Sequence, residues 1–282
     1  MDTKLRQLQL IELDILKEFV RICDKYTLRY YIVGGTLLGA VRHRGFIPWD
    51  DDIDVAMPRE DYERFAAISQ EELGQEYFYQ SADTDPHYFL SYAKVRKKET
   101  FVFESRFQNA TFQQGVFIDI FPLDFCPARG AVCHFLFNVL AVMNYRGQVD
   151  SGELYHPYTE LIGKLGYLFL KQYSPQKLTV LRKRLIALSK RLSDGSLVAS
   201  YSGAYGYQKE VFPQEWFGKS SEIIFERFSV AAPQKSDLLL RQLYGDYEQL
   251  PPLSQRASHV DIEKTKIENA ELRKEERGRR KT

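Results

Sequence analysis

The residues best suited to chemistry lie in one stretch, from Gly34-Gly35-Thr36 through Trp49 to Asp50-Asp51-Asp52-Ile53-Asp54-Val55. Tyr30-Tyr31-Ile32-Val33 reads as a short buried strand leading into the glycine pair. Gly34 and Gly35 permit a turn that a Cβ would obstruct, and they let backbone N–H groups approach a ligand. Thr36 suits the N-cap of a helix running to about Arg42. A helix start reached through glycines is a natural seat for phosphate. In a strand Asp52-Ile53-Asp54-Val55, the aspartates share one face and Ile53 and Val55 take the other. Carboxylates spaced roughly 6–7 Å apart along a strand repel unless a cation lies between them. Hard oxygen ligands of this kind suit Mg²⁺ bridging to substrate phosphates. The combination is a layout for phosphoryl or nucleotidyl transfer. Two plainer readings compete. A calcium loop running from Asp50 to Asp61 would need glycine where Val55 stands. A solvated acidic turn leaves the apolar face of Ile53 and Val55 unexplained.

Further candidates lie on either side. Arg42 and Arg44 are placed to touch a phosphate or to sit solvated, and His43 suits a helix end. In Ser91-Tyr92-Ala93-Lys94-Val95-Arg96, the alternation puts Tyr92, Lys94 and Arg96 on one strand face. Basic residues there would stabilise phosphate charge; a plain edge strand with solvated lysines is the competing reading. Asp119 interrupts the apolar run Val116–Phe121. An ionised carboxylate in such a run is costly unless paired or metal-bound. It would complete an Asp52/Asp54 site from a neighbouring strand, or else form a structural salt bridge. Asp124, after Pro122-Leu123, suits a turn cap.

These residues need positioning elements. Leu8, Ile11, Ile15, Phe19, Ile22 and Tyr26 give residues 3–27 a helical stripe that packs on the sheet, with no chemistry assigned to it. Pro58–Leu73 reads as a second helix with Pro58 at its first position. Tyr77–Tyr79, Phe89–Arg96, Phe101–Phe103 and Val116–Phe121 read as strands. Ala131–Tyr145 and Leu161–Tyr173 are apolar but too short to span a bilayer, so they read as core helices or as a face touching membrane. Gln176–Arg191 is a basic amphipathic helix compatible with an anionic membrane face. Ser200–Ser220 reads as strands and turns, and Trp216, Tyr201 and Tyr205 could stack on a base or box a quaternary ammonium. Ser236–Tyr244 is a helix that Gly245 ends. From Asp261 the chain is almost wholly charged, a frayed helix or disordered tail.

At 282 residues and 44% hydrophobic, the chain can bury a substantial core. Its 39 basic and 38 acidic residues leave a net charge of +1, which argues against a general nucleic-acid binder. Three cysteines, Cys23, Cys126 and Cys133, show no metal spacing and no even set. A reduced, cytoplasmic compartment is the simplest expectation, with no cleavable signal pattern at the start.

The run GGTLLGAVRHRGFIPWDDDIDV, the stretch GVFIDIFPLD from Gly115 to Asp124, and the weaker FERFSVAAP and YGDYEQLPP resemble the LicD family. Together they cover most of the chain up to about His259. The resemblance implies an α/β fold: a nucleotidyltransferase-like mixed sheet core with flanking helices and a mainly helical second half. It implies one catalytic domain over 1–260 and a charged tail over 261–282. It implies metal-dependent transfer of phosphocholine, or a related phospho-alcohol, from CDP-choline or another CDP-alcohol. The acceptor would be a glycan or lipid-linked oligosaccharide, as in teichoic acid or lipopolysaccharide, with CMP released. Mg²⁺, with Mn²⁺ as a substitute, would sit on Asp52, Asp54 and Asp119, and Asp119 is the possible base. Gly34, Gly35, Thr36, Arg42, Arg44, Trp49, Lys94, Arg96 and His259 form the expected substrate side. His259 falls where the family often has a histidine, either a base for the acceptor hydroxyl or a structural residue. Peripheral contact with the inner membrane face is a further expected partner. The donor alcohol stays open among choline, ribitol, glycerol and ethanolamine. A nucleotidyltransferase releasing pyrophosphate and a non-catalytic glycan- or metal-binding relative remain as rivals.

Overall fold

Helix α1, Thr3–Tyr26, turns its apolar stripe inward and buries Leu8, Ile15, Leu16, Phe19 and Ile22 completely. The computed structural model describes residues 3–108, 110–150, 168–203, 205–256, 258 and 260–267. After α1 come β1 (Tyr31–Ile32), α2 (Gly34–His43), β2 (Asp54–Pro58) and α3 (Arg59–Glu72). Then follow β3 (Tyr77–Gln80), β4 (Ala93–Lys97) and the long β5 (Phe117–Cys126). These strands form a mixed sheet in the order β1-β2-β5-β4-β3, so the fold is α/β as expected. The β2–β5 pair is parallel and its neighbours are antiparallel.

The second half adds helices and also short strands. Helices α4 (Ala131–Asp150) and α5 (Pro175–Leu192) pack around Cys126, Cys133, Phe137 and Leu140 as a second core. Strand β6 (Leu197–Ala199) extends the ladder of β5, and β7 (Val211–Pro213) pairs with β6. The short α6 (Tyr207–Glu210) precedes β7; β8 (Ser221–Phe225) and β9 (Phe228–Ala232) form a hairpin. Helix α7, Ser236–Tyr244, ends at Gly245 with φ 71°, the glycine cap read from the sequence. No helix among the described residues is long and apolar enough to cross a membrane. The segment 161–167 and the tail 268–282 lie outside the described residues.

Several expectations need correction. Phe101–Phe103 is not a strand; Phe101 makes a single bridge to Lys266. The strand expected from Phe89 begins at Ala93, because Phe89 and Leu90 instead pack with Tyr88, Phe107 and Phe112 in a small separate core. Pro58 precedes α3 rather than opening it. Strand β5 runs through Pro122 to Cys126. Pro122 falls between the end of the β4 ladder at Ala93↔Ile120 and the start of the β6 ladder at Asp124↔Ala199. A missing N–H is tolerated at such a gap. Asp124 therefore lies in a strand, where both its oxygens accept from Arg59 at 2.7 Å, and it caps no turn.

Candidate active site

Register brings the acids together. Asp54 of β2 pairs with Asp119 of β5, and Asp119 pairs with Lys94 of β4. Laterally paired residues point to the same face, about 5 Å apart. The sheet thus carries a row Asp54–Asp119–Lys94 on one face, and Lys94 Nζ donates to Asp119 Oδ1 at 2.5 Å. Val55, Ile118, Ile120 and Ala93, the alternate positions, take the other face and are buried in the main core. Ala56, Phe121 and Leu123 continue the acid face, and with Asp54 and Asp119 they floor a cavity of about 250 Å³. Asp52 and Gly34 stand at its edge, and Tyr92, Tyr205, Glu210, Phe212 and Phe217 are among its walls. The Tyr92 and Phe121 rings pack at 4.4 Å between centroids.

Helix α2 places the glycines. Its N-cap is Val33, not Thr36. Thr36 lies one turn inside, buried, where its Oγ1 accepts the Asp54 backbone N–H at 2.8 Å. The threonine fixes the carboxylate strand to the helix; it does not face the cavity. Gly34 has φ +57°, and a Cβ there would lie 2.6 Å from Asp54 Oδ2. A Cβ on Gly35 would lie 2.7 Å from Asp50 Oδ2. The glycine pair is therefore required because two carboxylates rest on the start of the helix. Gly34→Ala is expected to cost roughly 1–3 kcal/mol of stability, from the left-handed backbone alone. It also pushes the Asp54 carboxylate out of place, so turnover should fall with it; thermal unfolding and donor turnover check the pair.

Burial first, and charge crowding after it, set the electrostatics of the site. Burial holds the Asp54 carboxyl well above the usual carboxylate range; Asp52, Asp119 and Asp50 add to the shift, while Lys94 opposes it. Strand β2 begins only at Asp54, so Asp52 reaches the cavity from the preceding loop rather than from a strand. Carboxylate oxygens of Asp50, Asp51 and Asp52 approach within 4.8 Å of one another. Asp51 is committed elsewhere: its Oδ2 accepts from Ser258 Oγ and, at 2.6 Å, from Val260 N–H. It clamps the late segment of the chain against the site. Asp52, Asp54 and Asp119 line the cavity, and Asp50 does not.

Glu12 of α1 went unread in the sequence. It is buried, its Oε2 has no hydrogen-bond partner, and burial raises its carboxyl well above the usual range. Asp52, Asp51, Asp50 and Asp119 reinforce that shift, which puts Glu12 beneath the acid cluster. A signal was present: Glu12 follows Leu8 by four residues and precedes Ile15 by three, in the middle of the apolar stripe.

The remaining expected site residues divide plainly. Gly34, Asp52, Asp54 and Asp119 line the cavity. Lys94 is 0% exposed and supports the row from behind. Arg96 is buried in a cage formed by Gln80 Oε1 at 2.5 Å and Gly115 O at 2.6 Å, away from the cavity lining. Arg42 donates to Tyr247 O at 2.8 Å, and Arg44 is the exposed C-cap of α2 with φ 59°. The Trp49 ring lies under the Arg256 guanidinium at 5.0 Å. None of these four residues lines the cavity. His259 lies outside the described residues. Of the aromatic candidates, Tyr205 reaches the cavity; Tyr201 pairs its hydroxyl with Ser189 at 2.6 Å, and Trp216 packs against Phe212.

The family described as LicD/FKTN/FKRP, nucleotidyltransferase domain, matches residues 27–135, which hold α2 and all three strands of the acid row. The chain is 30% identical over 264 residues to Lipopolysaccharide cholinephosphotransferase LicD of Haemophilus influenzae, covering 90% of this chain and 95% of that protein. It is 45% identical over 42 residues to Ribitol 5-phosphate transferase FKRP of Homo sapiens, 15% of this chain and 8% of that protein. An uncharacterized protein of Rickettsia typhi, RT0683, matches at 44% over 54 residues, 19% of this chain and 18% of that one. Near-complete coverage of the Haemophilus protein, with the family match over the acid row, settles the classification: the chain belongs to the LicD family.

Proposed function

We propose that this chain transfers a phospho-alcohol, phosphocholine foremost, from a CDP-alcohol to a glycan hydroxyl and releases CMP. The observation that carries the reading is the Asp54–Asp119–Lys94 row with Asp52, opening on a ring-lined cavity. Two relatives support it by their names, a cholinephosphotransferase and a ribitol 5-phosphate transferase.

Asp52, Asp54 and Asp119 are the residues that would hold Mg²⁺, or Mn²⁺ in its place. The donor set fits: all ligands are hard oxygens, and the repulsion that crowds Asp54 is what a dication relieves. When bound, such an ion neutralises phosphate oxygens and the charge gathering on the leaving nucleotide. The chain's own residues do the positioning. Thr36 pins the Asp54 backbone, and Gly34 lets the carboxylate lie on the helix start. Lys94 orients Asp119 and supplies one positive charge to the row. Asp119 is the group proposed to receive the acceptor's proton. Phe121, Phe212, Phe217 and Leu243 give the cavity an apolar wall beside its carboxylates.

We place the acceptor on a lipid carrier at the cytoplasmic membrane face. Phe135 is 66% and Phe169 61% exposed. The neighbouring α5 carries Lys177, Lys183, Arg184, Lys190 and Arg191. An apolar patch beside a basic helix suits an anionic bilayer.

Isotope tracing separates the readings. With CDP-choline labelled at the phosphorus next to choline, the label should enter the glycan and the CMP should be cold. Label entering the glycan from the phosphorus next to cytidine, or pyrophosphate released from a nucleoside triphosphate, would make the chain a nucleotidyltransferase. No transfer of either label would leave a binding protein.

A further inference from the structure

One charged group in the cavity has no part in the acid row. Glu210 closes the short helix α6, is 5% exposed, and still lines the cavity. Its Oε1 accepts the Tyr205 N–H at 3.2 Å. Among the described residues no cationic side chain comes within salt-bridge distance of it. Lys209, next in sequence, donates to Leu243 O at 2.6 Å and lies 5.7 Å from the Tyr205 ring centroid, outside salt-bridge distance of the Glu210 carboxylate. The backbone of Gly203 packs so closely on the carboxylate that a Cβ would overlap it, which fixes the group in place. A glutamine would accept the same N–H without a buried charge. A carboxylate kept in such a place calls for a cation, and among the described residues none pairs with it directly; Lys209 acts on it only from a distance.

The cavity does supply rings. Tyr92, Phe121, Tyr205 and Phe212 share it with Glu210. Aromatic faces attract cations, quaternary ammonium groups above all. Tyr205 lies beside both groups: its N–H donates to Glu210, and its phenol feels the charges of Asp54, Glu210 and Asp52. Its hydroxyl is held by Tyr244 at 3.1 Å. The acid row and Glu210 are separate centres of negative charge in one cavity. A donor with phosphates at one end and a positive headgroup at the other matches that polarity.

We propose that Glu210, with the rings of Tyr92 and Tyr205, seats the cationic headgroup of the donor alcohol and so selects cationic over neutral phospho-alcohols. The inference rests on the phospho-alcohol transfer proposed above. Burial pushes the Glu210 carboxyl up to about 7, against the Tyr205 N–H and the charge of Lys209; a bound ammonium would keep it ionised.

The test compares CDP-choline with CDP-glycerol as donors. In Glu210→Gln, the ratio of kcat/KM for CDP-choline over CDP-glycerol should fall at least about tenfold, the scale of one well-placed cation contact. Equal loss for both donors would overturn the proposal and make Glu210 a base for the acceptor hydroxyl. An unchanged ratio would overturn it as well. Calorimetry on the full chain gives a second readout that needs no turnover. Choline should bind the wild type at least about tenfold more tightly than its uncharged isostere 3,3-dimethylbutanol, and Tyr205→Leu should narrow that gap. Equal binding of the two would sink the headgroup seat even if Glu210→Gln failed to fold. A wild type that binds choline selectively but turns over no CDP-alcohol would instead refute the transfer reading and leave the seat standing.

Discussion

Asp54→Asn is expected to lose at least about a thousandfold in transfer rate, the scale of removing a metal ligand or a charge-stabilising group. The same variant should unfold at a higher temperature than the wild type in metal-free buffer. The two effects share one cause. Asp54 is half-buried at the cavity floor, and its carboxyl is raised by burial and by Asp52, Asp119 and Asp50. The folded chain therefore binds this proton more tightly than the unfolded chain does. Stability is lost as pH rises from the unfolded value, about 4, toward the raised folded value. Asparagine is neutral throughout, so the gap between variant and wild type should widen between pH 4 and pH 7. Each kcal/mol of that gap is worth roughly 2–4 °C in a chain of this size. Magnesium should reverse the order: saturating ion at about 100 times its Kd adds about 2.7 kcal/mol to the wild type only. Unfolding curves with and without Mg²⁺ check both halves. An Asp54→Asn variant less stable than wild type without metal would show that the carboxylate is a structural partner.

The second large effect lies on the opposite face of β5. Asp124 is buried and accepts two hydrogen bonds from Arg59, whose guanidinium Asp124 holds above its ordinary pKa despite burial. Arg182 of α5 is half-buried nearby, with burial and the charge of Arg59 bringing it down to about 10. Asp124→Asn takes the buried carboxylate away from Arg59 and leaves the repulsion between Arg59 and Arg182 unopposed by it. Breaking a buried pair in this way costs about 3–5 kcal/mol, a drop of roughly 10 °C. Arg59→Met combined with Asp124→Leu should recover much of that loss, because a matched apolar pair leaves no stranded charge. At a temperature where both fold, donor turnover should stay within a few-fold of wild type, since Asp124 faces away from the cavity. A thermal shift near zero for Asp124→Asn would show that Arg59 and Arg182 find other partners.

Much of the acid site was legible because strand alternation is a local signal. The faces of Asp54 and Asp119 follow from a period of two and an apolar run, and the glycine pair announced a close approach. The partner in that approach was not legible: Gly34 faces a carboxylate, and Thr36 holds a strand rather than capping a helix. Register between β2, β5 and β4 joins residues far apart in sequence, so the pairing of Lys94 with Asp119 rather than with phosphate could not be read locally. Arg96 read as a strand cation for substrate phosphate because its cage, Gln80 and Gly115, comes from other segments. Glu12 was readable, as one carboxyl in a stripe of leucine and isoleucine, but a single polar residue in a long helix passes as surface. Glu210 had no local signal; only the fold of Ser200–Phe212 over the sheet puts it in the cavity.

The proposed reaction is a metal-dependent phospho-alcohol transfer run by Asp52, Asp54 and Asp119. Its most direct test is CMP release from CDP-choline by the purified chain with a glycolipid acceptor, in Mg²⁺ and in EDTA, beside Asp52→Asn. The wild type should release CMP in Mg²⁺ and return to background in EDTA, and the variant should stay at background under both conditions. Release that persists in EDTA, or that Asp52→Asn retains at the wild-type rate, would contradict it.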